Sequence, residues 1–160
     1  MTQDSDAPSS SGASRQHEEG DFSHPTILYD GICGLCNGFV QFVLRHDHAA
    51  IFRFASLQSP LAARILSRHG VNADDLDTVY AVLNPDQSSE SLLARSNTVI
   101  YVLKRLGGIR RLAALALELI PRPIRDWGYR VIARNRYRIF GRHETCPIPD
   151  ANQRDRFVDL

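Results

Sequence analysis

Cysteine is scarce in this chain. Three residues among 160, Cys33, Cys36 and Cys146, are too few and too unevenly spaced for the disulfide framework of a small secreted domain, and the odd count leaves at least one thiol unpaired. Long apolar runs are lacking as well. The longest, Leu112 to Leu117, falls far short of the roughly 20 residues a membrane-spanning helix needs. The opening Met1-Thr2-Gln3-Asp4-Ser5-Asp6 has neither the basic start nor the apolar stretch of a secretion signal. Nor is there a large net charge of either sign. A formal +1 gives no reason to expect nucleic acid as a partner. Together these absences lead to the expectation of a soluble, cytoplasmic protein in a reducing compartment, with no transmembrane segment.

What is present suits one globular domain with a normal core: 43% of residues are hydrophobic and 23% charged. The charge is unevenly placed. Up to His24 the chain carries Asp4, Asp6, Glu18, Glu19 and Asp21 against Arg15 alone, and beyond Met1 its only large apolar side chain is Phe22. Such a segment buries too little surface to offset its ordering entropy, so residues 1–24 are expected to form a disordered tail. The domain is expected over 25–150, with a C-terminal tail over 151–160.

Periodicity places the elements. Thr26-Ile27-Leu28-Tyr29 reads as a buried strand closed by an Asp30-Gly31 turn, with Gly31 supplying a backbone conformation closed to other residues. From Cys33 to about Arg45, Leu35, Phe39, Phe42 and Val43 recur at helical spacing. Ile51 to Ala55 is strand-like. Ser59-Pro60 opens a helix with a capping hydroxyl and a first-turn proline, ending near Gly70. Thr78 to Leu83 is the next strand, and Ser91 to Arg95 returns as its antiparallel partner after a turn at Asn84-Pro85-Asp86-Gln87. Ser96 or Asn97 then caps a helix ending at Gly107-Gly108. Two further helices span about 109–120 and 124–137. The order strand, helix, strand, helix, strand, strand, helix predicts two parallel crossover units plus an antiparallel edge: a thioredoxin-like three-layer α/β fold with a mixed sheet of about four strands and extra C-terminal helices.

The chemistry is expected at Cys33-Gly34-Leu35-Cys36. C-x-x-C spacing also occurs in zinc sites, but here it directly follows a strand and opens a helix. At that place unpaired amides and the helix dipole favour a thiolate, the attacking species in disulfide exchange, and bring a cysteine pKa from about 8.5 to about 7 or below. Cys33 is therefore the expected nucleophile. Cys36, one turn deeper and less exposed, is the expected resolving thiol. Asp30 has two readings: a proton acceptor for Cys36, or a turn residue bonded to its own backbone. Asn37 either bonds the loop or faces solvent. A second pair, His143 and Cys146, would complete a Cys₃His zinc set with the dithiol. An apolar core of this size removes the need for a metal, so neither metal nor cofactor is expected.

Tyr29-Asp30-Gly31-Ile32-Cys33-Gly34-Leu35-Cys36-Asn37 resembles the signature of the DCC family, a thioredoxin-like group of thiol–disulfide oxidoreductases named for its Asp-Cys-Cys motif. The likeness continues at Ala94-Arg95-Ser96, at Ala133-Arg134-Asn135-Arg136-Tyr137-Arg138 and from Gly141 to Pro147, covering about Thr26 to Pro149. It implies Asp30, Cys33 and Cys36 as the active-site set but names no substrate; the dithiol chemistry itself leads to the expectation of a thiol or disulfide substrate, protein or small molecule. Thioredoxin itself places a cis-proline just before the third strand and a tryptophan before the first cysteine. Thr78 and Ile32 stand there instead, which points to a narrower substrate range or a partner-bound role.

From Lys104 to Arg142 the chain is rich in arginine, with Tyr129, Tyr137 and Phe140 interleaved and only Glu118 and Asp126 opposing. Three readings are open: a surface for nucleic acid or an anionic membrane, a solvated face with arginine stems over apolar surface, or a docking surface for an anionic or protein partner near the dithiol. A non-catalytic adaptor built on that surface, and a zinc-stabilised domain, are the alternatives to the oxidoreductase.

Overall fold

The computed structural model describes residues 24–72, 78–85, 87–141 and 151–159. The proposed disordered tail thus lies almost wholly outside the described residues, as do Asp86 of the turn and the His143–Cys146 pair.

Four short strands form one mixed sheet in the order β2-β1-β3-β4: β1 (Thr26–Tyr29), β2 (Arg53–Ser56), β3 (Tyr80–Leu83) and β4 (Ser91–Ala94). All four β1 residues are buried because β1 is central and covered on both faces. Successive side chains of a strand point to opposite faces, and the core divides accordingly. Ile27, Tyr29 and Phe54 face one way, packing with Val40, Val43 and Leu44 of α1 (Gly34–His46) and Val102 of α3 (Ser96–Leu106). Leu28, Ala55, Tyr80 and Val82 face the other way, onto Ala62, Ile65 and Leu66 of α2 (Pro60–Arg68). The result is a thioredoxin-like three-layer α/β fold. Two extra helices follow, α4 (Ile109–Leu119) against α3, and α5 (Arg122–Phe140) across α1 and α3.

Four details differ from the sequence reading. Only β1 and β2 pair in parallel, whereas β3 runs antiparallel to β1. The eleven residues between Arg68 and Tyr80 can reach about 36–40 Å when extended, more than the roughly 13 Å length of a four-residue strand, so the connection is long enough for β3 to enter from the opposite end. Second, neither Ser96 nor Asn97 caps α3. The cap position is Arg95, held at φ 56°, and the Ser96 hydroxyl donates instead to the Asp126 carboxylate. Third, Gly31 does not take a left-handed backbone conformation. Fourth, the end of the chain is no tail. Phe157 bridges to Phe54 and is 8% exposed, Val158 N–H donates to Phe54 C=O, and Arg156 pairs with the buried Asp47 carboxylate. This segment covers the outer edge of β2, where unpaired backbone groups would otherwise be left. The α2 cap matches the sequence reading: the Ser59 hydroxyl accepts from Ala62 N–H at 3.2 Å, one residue before Pro60 begins the helix.

Candidate active site

Central β1 ends at Tyr29, and the next residues turn directly into α1. Asp30 makes the turn by accepting from Ile32 N–H at 3.1 Å, while Cys33 N–H donates to Asp30 C=O. The Asn37 amide reaches back from the first turn of α1 to Gly31 C=O (2.8 Å) and Cys33 C=O (3.1 Å). Asn37 therefore bonds the loop rather than facing solvent. These bonds, not glycine freedom, hold the loop.

Cys33 is the N-cap residue of α1, in extended backbone conformation, and its sulfur accepts from Cys36 N–H at 3.4 Å. A sulfur here stands where a capping oxygen would, among amides with no helical partner. Both thiols are free. The Cys33 pKa is lowered from 9.0 to about 6. The hydrogen bond with the Cys36 thiol contributes most, burial opposes it, and the Cys36 amide, the Arg136 charge and the Leu35 amide add to the lowering. Cys36 moves the opposite way, well above the ordinary thiol range, because it bonds the Cys33 sulfur, is buried, and lies beside the Cys33 charge. One proton is shared between two sulfurs, with the charge on Cys33.

Exposure departs from the expected pattern. Cys33 is 0% exposed, whereas Cys36 reaches the surface in part. Cys33, not Cys36, is therefore the covered thiol of the pair. The end of α5 lies against the neighbouring Gly34. Gly34 N–H donates to Gly141 C=O at 3.3 Å, and a Cβ added at Gly34 would lie 2.2 Å from Phe140 oxygen. Gly34 is thus the residue whose missing side chain lets α5 close over the dithiol loop.

Two α5 side chains complete the site. Arg136 sits 3.0 Å from Asp30 Oδ2, with both side chains almost wholly out of water. The Tyr137 hydroxyl accepts from Arg136 at 2.8 Å and donates to the same carboxylate oxygen. Oδ1 accepts from the Gln58 amide at 2.9 Å as well as from Ile32 N–H. Asp30 is thus surrounded by four donors from three parts of the chain. Burial first, then the bond to Asp30, raises the Tyr137 pKa. Arg136 is held firmly charged: burial works against the guanidinium, and Tyr137 and the two cysteines outweigh it. Tyr129 ties α5 to the start of β3 by accepting from Val79 N–H at 2.9 Å, and burial lifts its pKa to about 12. Thr78, the residue at the cis-proline place, is buried one residue earlier.

The sequence reading placed Asp30, Cys33 and Cys36 together, and the structure brings them together. It missed Arg136, Tyr137 and Gln58 as parts of the site. In sequence Arg136 reads as one of the basic surface residues, yet it is 2% exposed and paired inside. Its signal was present in the Arg136-Tyr137 pair within the family-like stretch, but nothing local to those residues points at Asp30, 106 positions earlier. Among the described residues no three His, Cys, Asp or Glu side chains gather as a metal ion would require.

Residues 27–142 match the family described as DCC1-like thiol-disulfide oxidoreductase. The chain is 34% identical over 132 residues to the protein named uncharacterized protein YuxK of Bacillus subtilis (strain 168), covering 82% of this chain and 92% of that one. It is 37% identical over 124 residues to DCC family protein At1g52590, chloroplastic, of Arabidopsis thaliana, covering 78% of this chain and 69% of that one. No solved structure matches it.

Proposed function

Because the chain belongs to the DCC1-like thiol-disulfide oxidoreductase family, we propose that it exchanges disulfides through Cys33 and Cys36. The observation that carries this reading is the Cys33 sulfur at the start of α1, accepting the Cys36 amide and lowered to a pKa of about 6, so that thiolate predominates at pH 7. That thiolate attacks one sulfur of a substrate disulfide. A Cys33–substrate disulfide forms and the substrate's other sulfur leaves as a thiolate. The Cys33 charge is now gone, and with it two of the three effects that hold the proton on Cys36. Cys36 passes its proton to the departing thiolate and attacks the Cys33 sulfur. A Cys33–Cys36 disulfide forms, the substrate's second sulfur leaves as a thiolate that takes a proton from water, and two electrons have passed to the substrate.

In this scheme Asp30 is a positioning residue. Its oxygens are engaged by four donors, and its work is to hold Arg136, and with it α5, against the dithiol. Reaction at Cys33 requires local opening, since that sulfur has no exposed surface, and the end of α5, where Phe140 and Gly141 lie over the adjacent Gly34, is the candidate to move.

The test uses the full chain with Cys146→Ser, leaving the dithiol as the only thiols. Ultraviolet thiolate absorbance against pH should show a midpoint near 6. Cys36→Ser should accumulate a mixed disulfide with an aromatic disulfide reagent, and Cys33→Ser should not. A midpoint at or above about 8.5, or failure to form the intramolecular disulfide on oxidation, overturns the proposal.

A further inference from the structure

Every exposed large hydrophobic side chain among the described residues lies between Ile109 and Phe140. On α4, Leu112, Leu115 and Leu119 share one helical stripe by their spacing, and Leu119 is 86% exposed. Only Ala114 on that helix is buried. On α5 the inward positions are Tyr129, Ala133 and Arg136, and Ile124, Trp127 and Val131 fall on the outward side, with Trp127 64% exposed. An open apolar groove of about 400 Å³ runs between α3, α4 and α5. Soluble surfaces rarely concentrate so much large apolar area in one segment without a use for it.

The charge of the same segment narrows what covers it. Between 109 and 140 stand eight arginines against Glu118 and Asp126; with Arg136 buried against Asp30, seven remain outside the site. Arg130, Arg134 and Arg138, four residues apart, form one exposed row beside Trp127 and Val131 and face no carboxylate among the described residues. A second copy docking on this face would bring like charges together, which disfavours it. An anionic surface would pair with the row while the apolar stripe sinks into it. The leucines of α4, and Ile124, Trp127 and Val131 of α5 beside arginines whose stems can extend to the polar layer, suit the plane of a bilayer interface. No described helix is long and apolar enough to cross a membrane.

We propose that the outer faces of α4 and α5 dock on the surface of an anionic lipid bilayer, with Trp127, Val131 and the α4 leucines entering the interface and Arg130, Arg134 and Arg138 contacting lipid phosphates. This is independent of the dithiol chemistry, since none of these side chains belongs to the site around Cys33.

The test is sedimentation of the full chain with phosphatidylcholine vesicles and with equimolar phosphatidylcholine–phosphatidylglycerol vesicles. Binding is expected only to the anionic vesicles and is expected to fall with added salt. Arg130→Gln, Arg134→Gln and Arg138→Gln combined should weaken it on the order of a hundredfold, at about fivefold for each basic residue near the surface. Trp127→Ser alone should weaken it on the order of tenfold. Far-ultraviolet circular dichroism and the rate of Cys33 alkylation should match the unsubstituted chain, showing that fold and site are intact. Equal binding to both vesicles, binding to neither, or a triple variant that sediments like the unsubstituted chain overturns the proposal. So does a concentration-dependent dimer abolished by Trp127→Ser, which would assign the face to a second copy.

Discussion

The Asp30–Arg136 pair allows a quantitative prediction. Both side chains are almost fully withdrawn from water, so the discount that applies to surface ion pairs does not apply here. Arg136→Gln leaves the Asp30 carboxylate buried with its remaining donors from Tyr137, Gln58 and Ile32 but without a countercharge. Asp30→Asn leaves the guanidinium buried without its anion. Each change should cost about 3–5 kcal/mol, a large share of the roughly 5–15 kcal/mol typical of a domain. The double variant removes both charges, and its loss should fall short of the sum of the single losses by about 2 kcal/mol or more. Urea denaturation under reducing conditions, with all four chains compared at neutral pH, measures this directly. Arg136→Gln should also raise the Cys33 pKa, though modestly, because the guanidinium ranks below both Cys36 contacts among the effects that lower it. Single losses under about 1 kcal/mol, or effects that add to within about 0.5 kcal/mol, would refute the claim that this pair clamps α5 to the dithiol loop.

Three further outcomes are expected. Gly34→Ala puts a methyl 2.2 Å from Phe140 oxygen, where an ordinary carbon–oxygen contact is about 3.3 Å or more, so the α5 end must shift by about 1 Å; alkylation of Cys33 should quicken and stability should fall by about 1–3 kcal/mol. An unchanged alkylation rate would show that α5 is not the cover. Second, the folded Cys33 pKa of about 6 lies below the unfolded 9.0, so its ionisation favours folding: the contribution is absent below pH 6, grows between 6 and 9, and is full above. Cys36 is shifted upward, so its contribution is present below 9 and lost above. The stability of the reduced protein relative to Cys33→Ala should therefore rise from pH 6 toward 8, by no more than about 1.4 kcal/mol per pH unit, and a flat difference would count against the thiolate. Third, Phe157→Ala should cost about 3–4 kcal/mol in thermal or urea unfolding if the chain end belongs to the core, whereas a loose tail would show no loss.

Local information in the sequence was enough for the strands, the helices and the dithiol. Thr26 to Tyr29 is apolar on both faces because β1 is central, Ser59-Pro60 has the hydroxyl and ring that a helix start uses, and Cys33 to Cys36 sits at a strand–helix junction; each depends on residues a few positions apart. Tertiary structure alone decided the direction of β3, the seating of Phe157 on the β2 edge, and the burial of Arg136 against Asp30. These rest on pairings across large sequence separations, and an arginine destined for a buried carboxylate looks the same in sequence as one destined for solvent. The energy of such a pair depends on how much water is excluded around it, a property of the packed chain and not of any segment read alone.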